Sequence, residues 1–142
     1  MEILTYNPIH EEELLDHLDN PEAGAQVIFK GIVRNHHEGR KVLYLFYEAY
    51  EEMVQSEMKK LVEKGCNQFD IYDMVLAHRL GRLEIGQVSL FCAVSSAHRV
   101  EAFKACQFTI DELKKNIPIW KKEIYEGGEE WLANPESRST TP

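Results

Sequence analysis

The sequence predicts an α+β fold, in which helices pack on a mainly antiparallel sheet. Runs rich in β-branched and aromatic residues, such as AQVIFKGIV at 25–33, have the composition of strands. Other segments place apolar residues at i, i+3 and i+4, which predicts amphipathic helices. The two kinds of segment do not alternate strictly, and the GxGxxG motif is absent, so a doubly wound parallel sheet is not predicted.

In the first half of the chain, prolines and glycines separate the predicted elements. We expect Met53, Met58 and Leu61 to face inward on the helix at 51–65, with Gly65 as its C-cap. The elements in order are a strand at 2–6, a helix at 9–19, a strand at 25–33, a polar loop at 34–41, a strand at 42–50 and that helix.

The second half predicts a central strand at 87–96, because this segment is apolar enough to be buried. We expect Ser95 or Ser96 to cap the helix that follows. The elements in order are a strand region at 69–81, a connection at 80–86, the central strand, the longest helix at 97–117, a strand at 119–125, a turn at 127–128 and a closing segment at 129–133. Residues 1–134 are predicted to form one domain, and the polar residues 135–142 a flexible C-terminal tail.

The charge of the chain argues against two classes of partner. Its 24 acidic residues exceed its 16 lysines and arginines, giving a formal net charge of −8. A negative chain is repelled by phosphate backbones and anionic lipids, so we expect no nucleic-acid partner and no membrane partner. The acidic N-terminus lacks the basic and apolar regions of a signal peptide, and no apolar run is long enough to span a bilayer.

The cysteines and histidines predict neither disulfides nor a metal site. The three cysteines are an odd number without CxxC spacing, which fits a reducing, cytoplasmic compartment. His36 and His37 are adjacent, which suits no standard metal-ligand spacing, and HExxH is absent. We therefore predict no metal and no cofactor.

Cations nevertheless concentrate locally. Residues 98–122 contain six lysines and arginines against three acids, whereas residues 1–24 contain seven acids and no lysine or arginine. His98 and Arg99 open a predicted helix, where cations are disfavoured by about 0.3–1 kcal/mol each unless an anion binds there. The alternative is that both side chains point to solvent or pair with an acid.

Two further positions carry candidate cations. Lys114 lies roughly 60° from the centre of the predicted apolar stripe of its helix, so its amine could be held near the sheet or reach solvent by snorkelling. That stripe consists of Phe103, Cys106, Ile110, Leu113 and Ile117.

In the strand at 119–125, alternation places Lys121 on the face of Ile119 and Glu123, and Lys122 on the face of Trp120. Periodicity does not tell which of these lysines is functional, and both could instead protect an edge strand. Arg34 opens the polar loop after a strand, a common place for a binding group.

These motifs together resemble one family, the large, catalytic subunit of molybdopterin synthase. They occur in the order GIVRNHHEG, LFYEAYEEM, HRLGRLEIGQVS, VSSAHRVEAF, DELKKNIPIWKKE and EEW, over about residues 25–132. The resemblance implies an α/β-hammerhead fold and a homodimer that binds two small ubiquitin-like subunits, giving a heterotetramer. It implies transfer of sulfur from the small subunit's thiocarboxylated Gly-Gly tail to cyclic pyranopterin monophosphate, which forms the dithiolene of molybdopterin.

The resemblance also implies roles for particular residues. Lys114 and Lys121 match the catalytic lysines, whereas Lys115 has no match and is expected in solvent. The tail cation Arg138 is the one that could reach a neighbouring protomer. The matches to substrate-binding positions are Ile32 and Val33 through their backbone, Arg34, His98, Arg99, Lys122 and Glu123.

From the residues alone, a rival function stays open. The same cations could capture a phosphorylated metabolite or a partner's C-terminal carboxylate without any chemistry. A structural dimer with merely solvated cations is a third interpretation.

Overall fold

The computed structural model describes residues 1–132, and its secondary structure confirms the predicted α+β class. The predicted end of the domain at residue 134, the tail at 135–142 and Arg138 lie outside the described residues. The elements are β1 (Glu2–Thr5), α1 (Glu11–Asp16), β2 (Ala25–Ile32), β3 (His36–His37), β4 (Arg40–Glu48), α2 (Glu51–Gln68), β5 (Asp73–Arg79), β6 (Gly81–Glu84), β7 (Val88–Ser96), α3 (Arg99–Asn116), β8 (Trp120–Tyr125) and β9 (Gly128–Leu132).

The first sheet has the strand order β1-β5-β7-β2. β1 pairs with β5 in parallel, and the other two pairs are antiparallel. The central strands β5 and β7 are almost entirely buried, because both faces of this sheet are covered. Met74 and Leu76 pack with α2 and α3, whereas the alternating residues Val75 and Ala77 pack beneath α1.

The second sheet has the order β3-β4-β8-β9, and β6 also pairs with β4. Its own small core joins Val33, Val42, Leu45, Leu83 and Tyr125. β3 and β4 form a tight hairpin, in which Glu38 and Gly39 both have positive φ, at 50° and 78°. This pair of angles is that of a type I′ turn, the two-residue turn whose twist matches that of the flanking strands. The loop predicted at 34–41 is therefore largely a hairpin.

Several local predictions are wrong, each because of tertiary contacts. The connection predicted at 80–86 contains β6, since β4 offers it a pairing edge. Met53 and Phe103, which the apolar periodicity predicts to face inward, are 44% and 59% exposed. Small residues such as Ala102 and Ala105 pack in place of Phe103, because they let α3 approach the sheet closely.

The predicted helix caps also differ. Gly65 lies inside α2, which continues to Gln68, because a close approach to β5 and α3 requires a residue without a side chain there. A Cβ on Gly65 would lie 2.9 Å from Cε of Met74 and 3.4 Å from Oγ1 of Thr109. Neither Ser95 nor Ser96 caps α3, since both belong to β7 and Ser96 donates its hydroxyl to the carbonyl of His98. His98 is the N-cap, without a side-chain hydrogen bond.

Gly24, which precedes β2, packs against the junction between β7 and α3, and a substitution at this position tests that contact. A Cβ on Gly24 would lie 2.5 Å from the carbonyl oxygen of Ala97, a backbone atom that cannot move aside cheaply. We expect Gly24→Ala to lower the free energy of unfolding by about 1–3 kcal/mol, the usual cost of overpacking. Gly128→Ala is the matched control, because a Cβ there meets nothing within 4 Å. Equal urea midpoints for the two variants would contradict this packing.

Candidate functional site

A small pocket of about 110 Å³ lies where the C-terminal part of α3 meets both sheets. Apolar and polar side chains line it in equal number. The apolar side chains are Phe29, Leu90, Leu113, Ile117 and Ile119, and the polar ones are Tyr47, His78, Ser89, Lys114 and Lys121, beside the backbone of Gly31. The pocket therefore holds two cations among apolar side chains.

Lys114 reaches the pocket because of its angle on α3. It is half-buried and follows Leu113, which is 3% exposed and faces the core. Lys115, one residue further, is exposed, as predicted. The boundary position inferred from periodicity is confirmed, and the amine is held beside the sheet rather than in open solvent.

Lys121 reaches the pocket from β8. Tyr47 of β4 stands directly opposite it, and directly opposed residues of an antiparallel pair share a face. The neighbours on that face, Ile119 and Glu123, are 9% and 4% exposed. The predicted alternation is confirmed, and it directs Lys121 inward.

Electrostatic interactions tie Arg34 to the two lysines. Burial lowers the pKa of Lys121, the carboxylate of Glu123 partly opposes this change, and the charges of Lys114 and Arg34 lower that pKa further. Arg34 itself is exposed and forms no ion pair within residues 1–132. Three cations from three separate segments thus act on one another, and an anion bound among them would relieve their repulsion.

Glu123 is held by groups from the hairpin and from its own strand. Nδ1 of His37 lies 2.8 Å from its Oε1, and the hydroxyl of Tyr125 donates to the same oxygen. Burial and the Glu123 carboxylate raise the pKa of Tyr125 to about 12, so this hydroxyl keeps its proton and remains a donor. Arg40 stacks over the Tyr125 ring at 4.5 Å and so closes the hairpin onto β8. Glu123 is therefore a fixed negative charge next to Lys121.

His78 is a pocket residue that the sequence did not single out. It is 5% exposed, and burial lowers its pKa from 6.5 to about 4, with the charge of Lys114 lowering it further against an opposing hydrogen bond to Arg79. The ring of Tyr47 meets it edge-on at a centroid distance of 5.1 Å. The available signal was a histidine inside a strand rich in apolar residues, three residues before the glycine of HRLG, but a satisfied core histidine gives the same pattern. Tyr47 and Ser89 were missed for the same reason.

His98 and Arg99 lie far from this pocket in the same chain. They stand at the N-terminal end of α3, fifteen residues before Lys114, which at 1.5 Å per residue is about 22 Å. β2 gives the same result, since its first residue pairs with Ser96 near His98 and its last residue leads to Arg34. One protomer thus brings together Arg34, Lys114 and Lys121, but not the His98–Arg99 pair.

Three other residues that were predicted to bind the substrate, Ile32, Val33 and Lys122, do not line the pocket. Ile32 is exposed, whereas Val33 is buried and its N–H donates to the carbonyl of Gln87, so that N–H is not available to a ligand. Lys122 faces away from the pocket, between the rings of Phe46 and Trp131. Side-chain contact by Lys122 with a ligand in this pocket is therefore not supported by the geometry.

Two classes of site are not found in the part of the chain that the structure describes. No group of three or more potential ligands among residues 1–132 could hold a metal ion. No described helix has the length and apolarity needed to cross a membrane. All three cysteines are unpaired, with Cys66 exposed and Cys92 and Cys106 buried.

Comparisons with known proteins agree on one family. A family model described as MoaE protein matches residues 4–116. The molybdopterin synthase catalytic subunit of Pyrococcus abyssi is 42% identical over 121 residues, which are 85% of this chain and 82% of that protein. The corresponding subunit of Thermoplasma volcanium is 39% identical over 125 residues, covering 88% and 91%. The crystal structure of molybdopterin synthase from Staphylococcus aureus superposes with a TM-score of 0.87 at 35% identity, covering 91% of this chain and 94% of that one.

The mutual influence of Arg34 and Lys121 gives a direct test of the cluster. Arg34→Gln removes a positive charge that lowers the pKa of Lys121, so we expect that pKa to rise. The measurement is an NMR titration of lysine side chains labelled at Cε. Lys30→Gln is the control, since Lys30 is exposed and pairs with Glu11 at 3.2 Å. A Lys121 titration that is the same in both variants would show that Arg34 is not part of the cluster.

The buried imidazole predicts a pH dependence of stability. Between its folded pKa of about 4 and its ordinary value of 6.5, the unfolded chain binds more protons at His78, so stability falls as the pH is lowered through this window. The full loss is about 3 kcal/mol at about 1.4 kcal/mol per pKa unit. We expect His78→Asn to lose less stability than the wild type between pH 7 and 4.5 in urea unfolding. Parallel stability curves would mean that His78 titrates normally in the folded protein.

Proposed function

The chain belongs to the MoaE protein family, and from this premise we propose that it is the catalytic subunit of a molybdopterin synthase. In this proposal it transfers sulfur from the thiocarboxylated C-terminus of a small ubiquitin-like subunit to cyclic pyranopterin monophosphate, forming the dithiolene of molybdopterin. The observation that carries the proposal is the pocket that Lys114 and Lys121 line together with five apolar side chains. No cysteine lines it among the described residues, which fits a reaction whose sulfur arrives on a partner.

The size of the pocket supports separate positions for the small subunit's tail and the pterin. At about 110 Å³ it is smaller than the 300–1,000 Å³ that is typical of sites for drug-sized ligands. So small a pocket favours the narrow, extended end of a glycine-rich chain over a three-ring pterin as its occupant. We therefore place the tail in the pocket and the pterin phosphate outside it, on the exposed guanidinium of Arg34.

Lys114 and Lys121 can then stabilise the negative charge that develops on the pterin phosphate and on the tail. As the thiocarboxylate sulfur bonds to carbon of the pterin side chain, a phosphate oxygen leaves with negative charge. Water then cleaves the acyl–sulfur bond. This hydrolysis passes through an oxyanion and leaves the tail as a carboxylate. Ammonium groups held in a pocket with low solvent access stabilise both anions, and Lys121, whose pKa is lowered, is suited to move a proton.

The position of His98 and Arg99 favours a site shared between two copies of the chain. Because the pair lies about 22 Å from Lys114 along α3, it cannot join Arg34 on the same substrate in one protomer. A homodimer could bring this pair from a second copy to the phosphate. The small-subunit partner, the homodimer and the cytoplasmic location are all parts of the proposal.

Replacement of Lys114 tests the catalytic role. We expect Lys114→Ala to reduce dithiolene formation by about 100-fold or more, since it removes a charge that stabilises developing anions. The assay mixes the variant with thiocarboxylated small subunit and cyclic pyranopterin monophosphate and follows product in single turnover. Lys115→Ala is the matched control, because the adjacent lysine is exposed and does not line the pocket.

The same assay separates catalysis from capture. Near-normal product formation by folded Lys114→Ala would remove Lys114 from the mechanism. A wild-type protein that binds both ligands but forms no product would instead favour the non-catalytic binding module.

A further inference from the structure

His78 presents an unused hydrogen-bond acceptor to the pocket. Its Nδ1 lies 2.7 Å from the carbonyl oxygen of Arg79. A carbonyl oxygen can only accept, so Nδ1 carries the proton and Nε2 carries a lone pair. The hydrogen bonds of His78 within residues 1–132 involve Nδ1 only. Nε2 is not among the enclosed unpaired atoms, which are Nε of Arg79 and Oγ of Ser95, so it is open to the pocket that His78 lines. An acceptor that is open to a pocket is available to an N–H or O–H donor on a ligand.

The surroundings keep this acceptor neutral. Tyr47 covers it edge-on, and Lys114 and Lys121 line the same pocket. Burial and the charge of Lys114 lower the pKa of His78 to about 4, so the imidazole does not become a third cation near neutral pH. A carboxylate at this position would neutralise a lysine, whereas a neutral imidazole accepts a hydrogen bond and leaves the lysine charges free for an anion.

The pocket therefore has two complementary parts. Its two ammonium groups suit an anion, and its imidazole suits an N–H or O–H donor attached close to that anion. The terminal residue of a peptide has this arrangement, because its amide nitrogen is bonded to the same Cα that carries the terminal carboxylate. The pocket volume of about 110 Å³, below the range typical of sites for drug-sized ligands, favours an extended glycine end over a pterin ring system.

We propose that Nε2 of His78 accepts a hydrogen bond from a peptide N–H of the partner's C-terminal end, whose terminal carboxylate or thiocarboxylate lies on Lys114 and Lys121. This inference rests on the proposed function, since it takes the small subunit's tail as the ligand. It makes His78 a recognition residue for the tail, and the pterin does not touch it.

Histidine ¹⁵N NMR of the wild-type protein tests the acceptor directly. Between pH 5.5 and 8 we expect a non-titrating His78 with the proton on Nδ1. Adding the small subunit with its Gly-Gly carboxylate should shift the Nε2 resonance, and adding a small subunit that lacks its last two residues should not. A His78 that carries its proton on Nε2, or titrates near 6.5, overturns the proposal.

Two substitutions at His78 distinguish loss of the acceptor at Nε2 from a change in the fold. In His78→Asn the side-chain amide can still donate to Arg79, but the acceptor at Nε2 is lost. His78→Gln can place a carbonyl oxygen near the Nε2 position and should recover part of the binding. We expect His78→Asn to weaken binding of the intact small subunit by about tenfold, the effect of one hydrogen bond, with binding of the truncated subunit unchanged. His17→Asn, at an exposed histidine, is the control.

The outcomes distinguish this inference from the function on which it rests. If the wild type does not bind the small subunit, the proposed function and the inference both fail. If the wild type binds it and His78→Asn binds equally well, or weakens the intact and truncated subunits alike, only the role of His78 fails. Thermal unfolding of each variant shows that the compared proteins are folded.

Discussion

The antiparallel pairing of β4 with β8 is the constraint on which the candidate site depends. It sets Lys121 opposite Tyr47, a residue of the pocket, and Glu123 opposite Leu45, a residue of the small core of the second sheet. The same face of β8 therefore meets the pocket at one end and this core at the other. The same strand β4 continues from the hairpin that follows Arg34, and so brings this arginine toward Lys121. A slip of one residue in this pairing would turn Lys121 outward and Lys122 inward, because side chains alternate along a strand. The register therefore decides which of two adjacent lysines belongs to the site.

This arrangement concentrates positive charge on a chain whose formal charge is −8. Like charges at short range repel, and burial of Lys121 adds a desolvation cost. Glu123 offsets part of this repulsion from a fixed position, where His37 and Tyr125 hold it. The apolar side chains in the lining lower the local dielectric, which strengthens the attraction of the lysines for any anion that enters. The negative charge of the rest of the chain disfavours nucleic acid while leaving a local site for a small anion or a terminal carboxylate.

Periodicity predicted the features that depend on one element alone. The boundary position of Lys114 on α3 and the opposite orientations of Lys121 and Lys122 on β8 follow from 3.6- and 2-residue repeats, and the structure confirms both. Gly65 and Phe103 were misplaced, because their environments are set by β5, α3 and the sheet rather than by neighbours in sequence. The separation of His98 from Lys114 was also not foreseen, although helix length alone implies it. His78 escaped notice, since its role depends on a pocket built from several distant segments.

The central claim is that the partner's C-terminal end lies between Lys114 and Lys121, and zero-length cross-linking measures this most directly. Carbodiimide activation of the small subunit's terminal carboxylate in the complex, followed by mass spectrometry, identifies the lysine that forms an isopeptide bond. We expect a bond from the terminal glycine to Lys114 or Lys121. Bonds formed only at exposed lysines outside the pocket, such as Lys104 or Lys115, would contradict it.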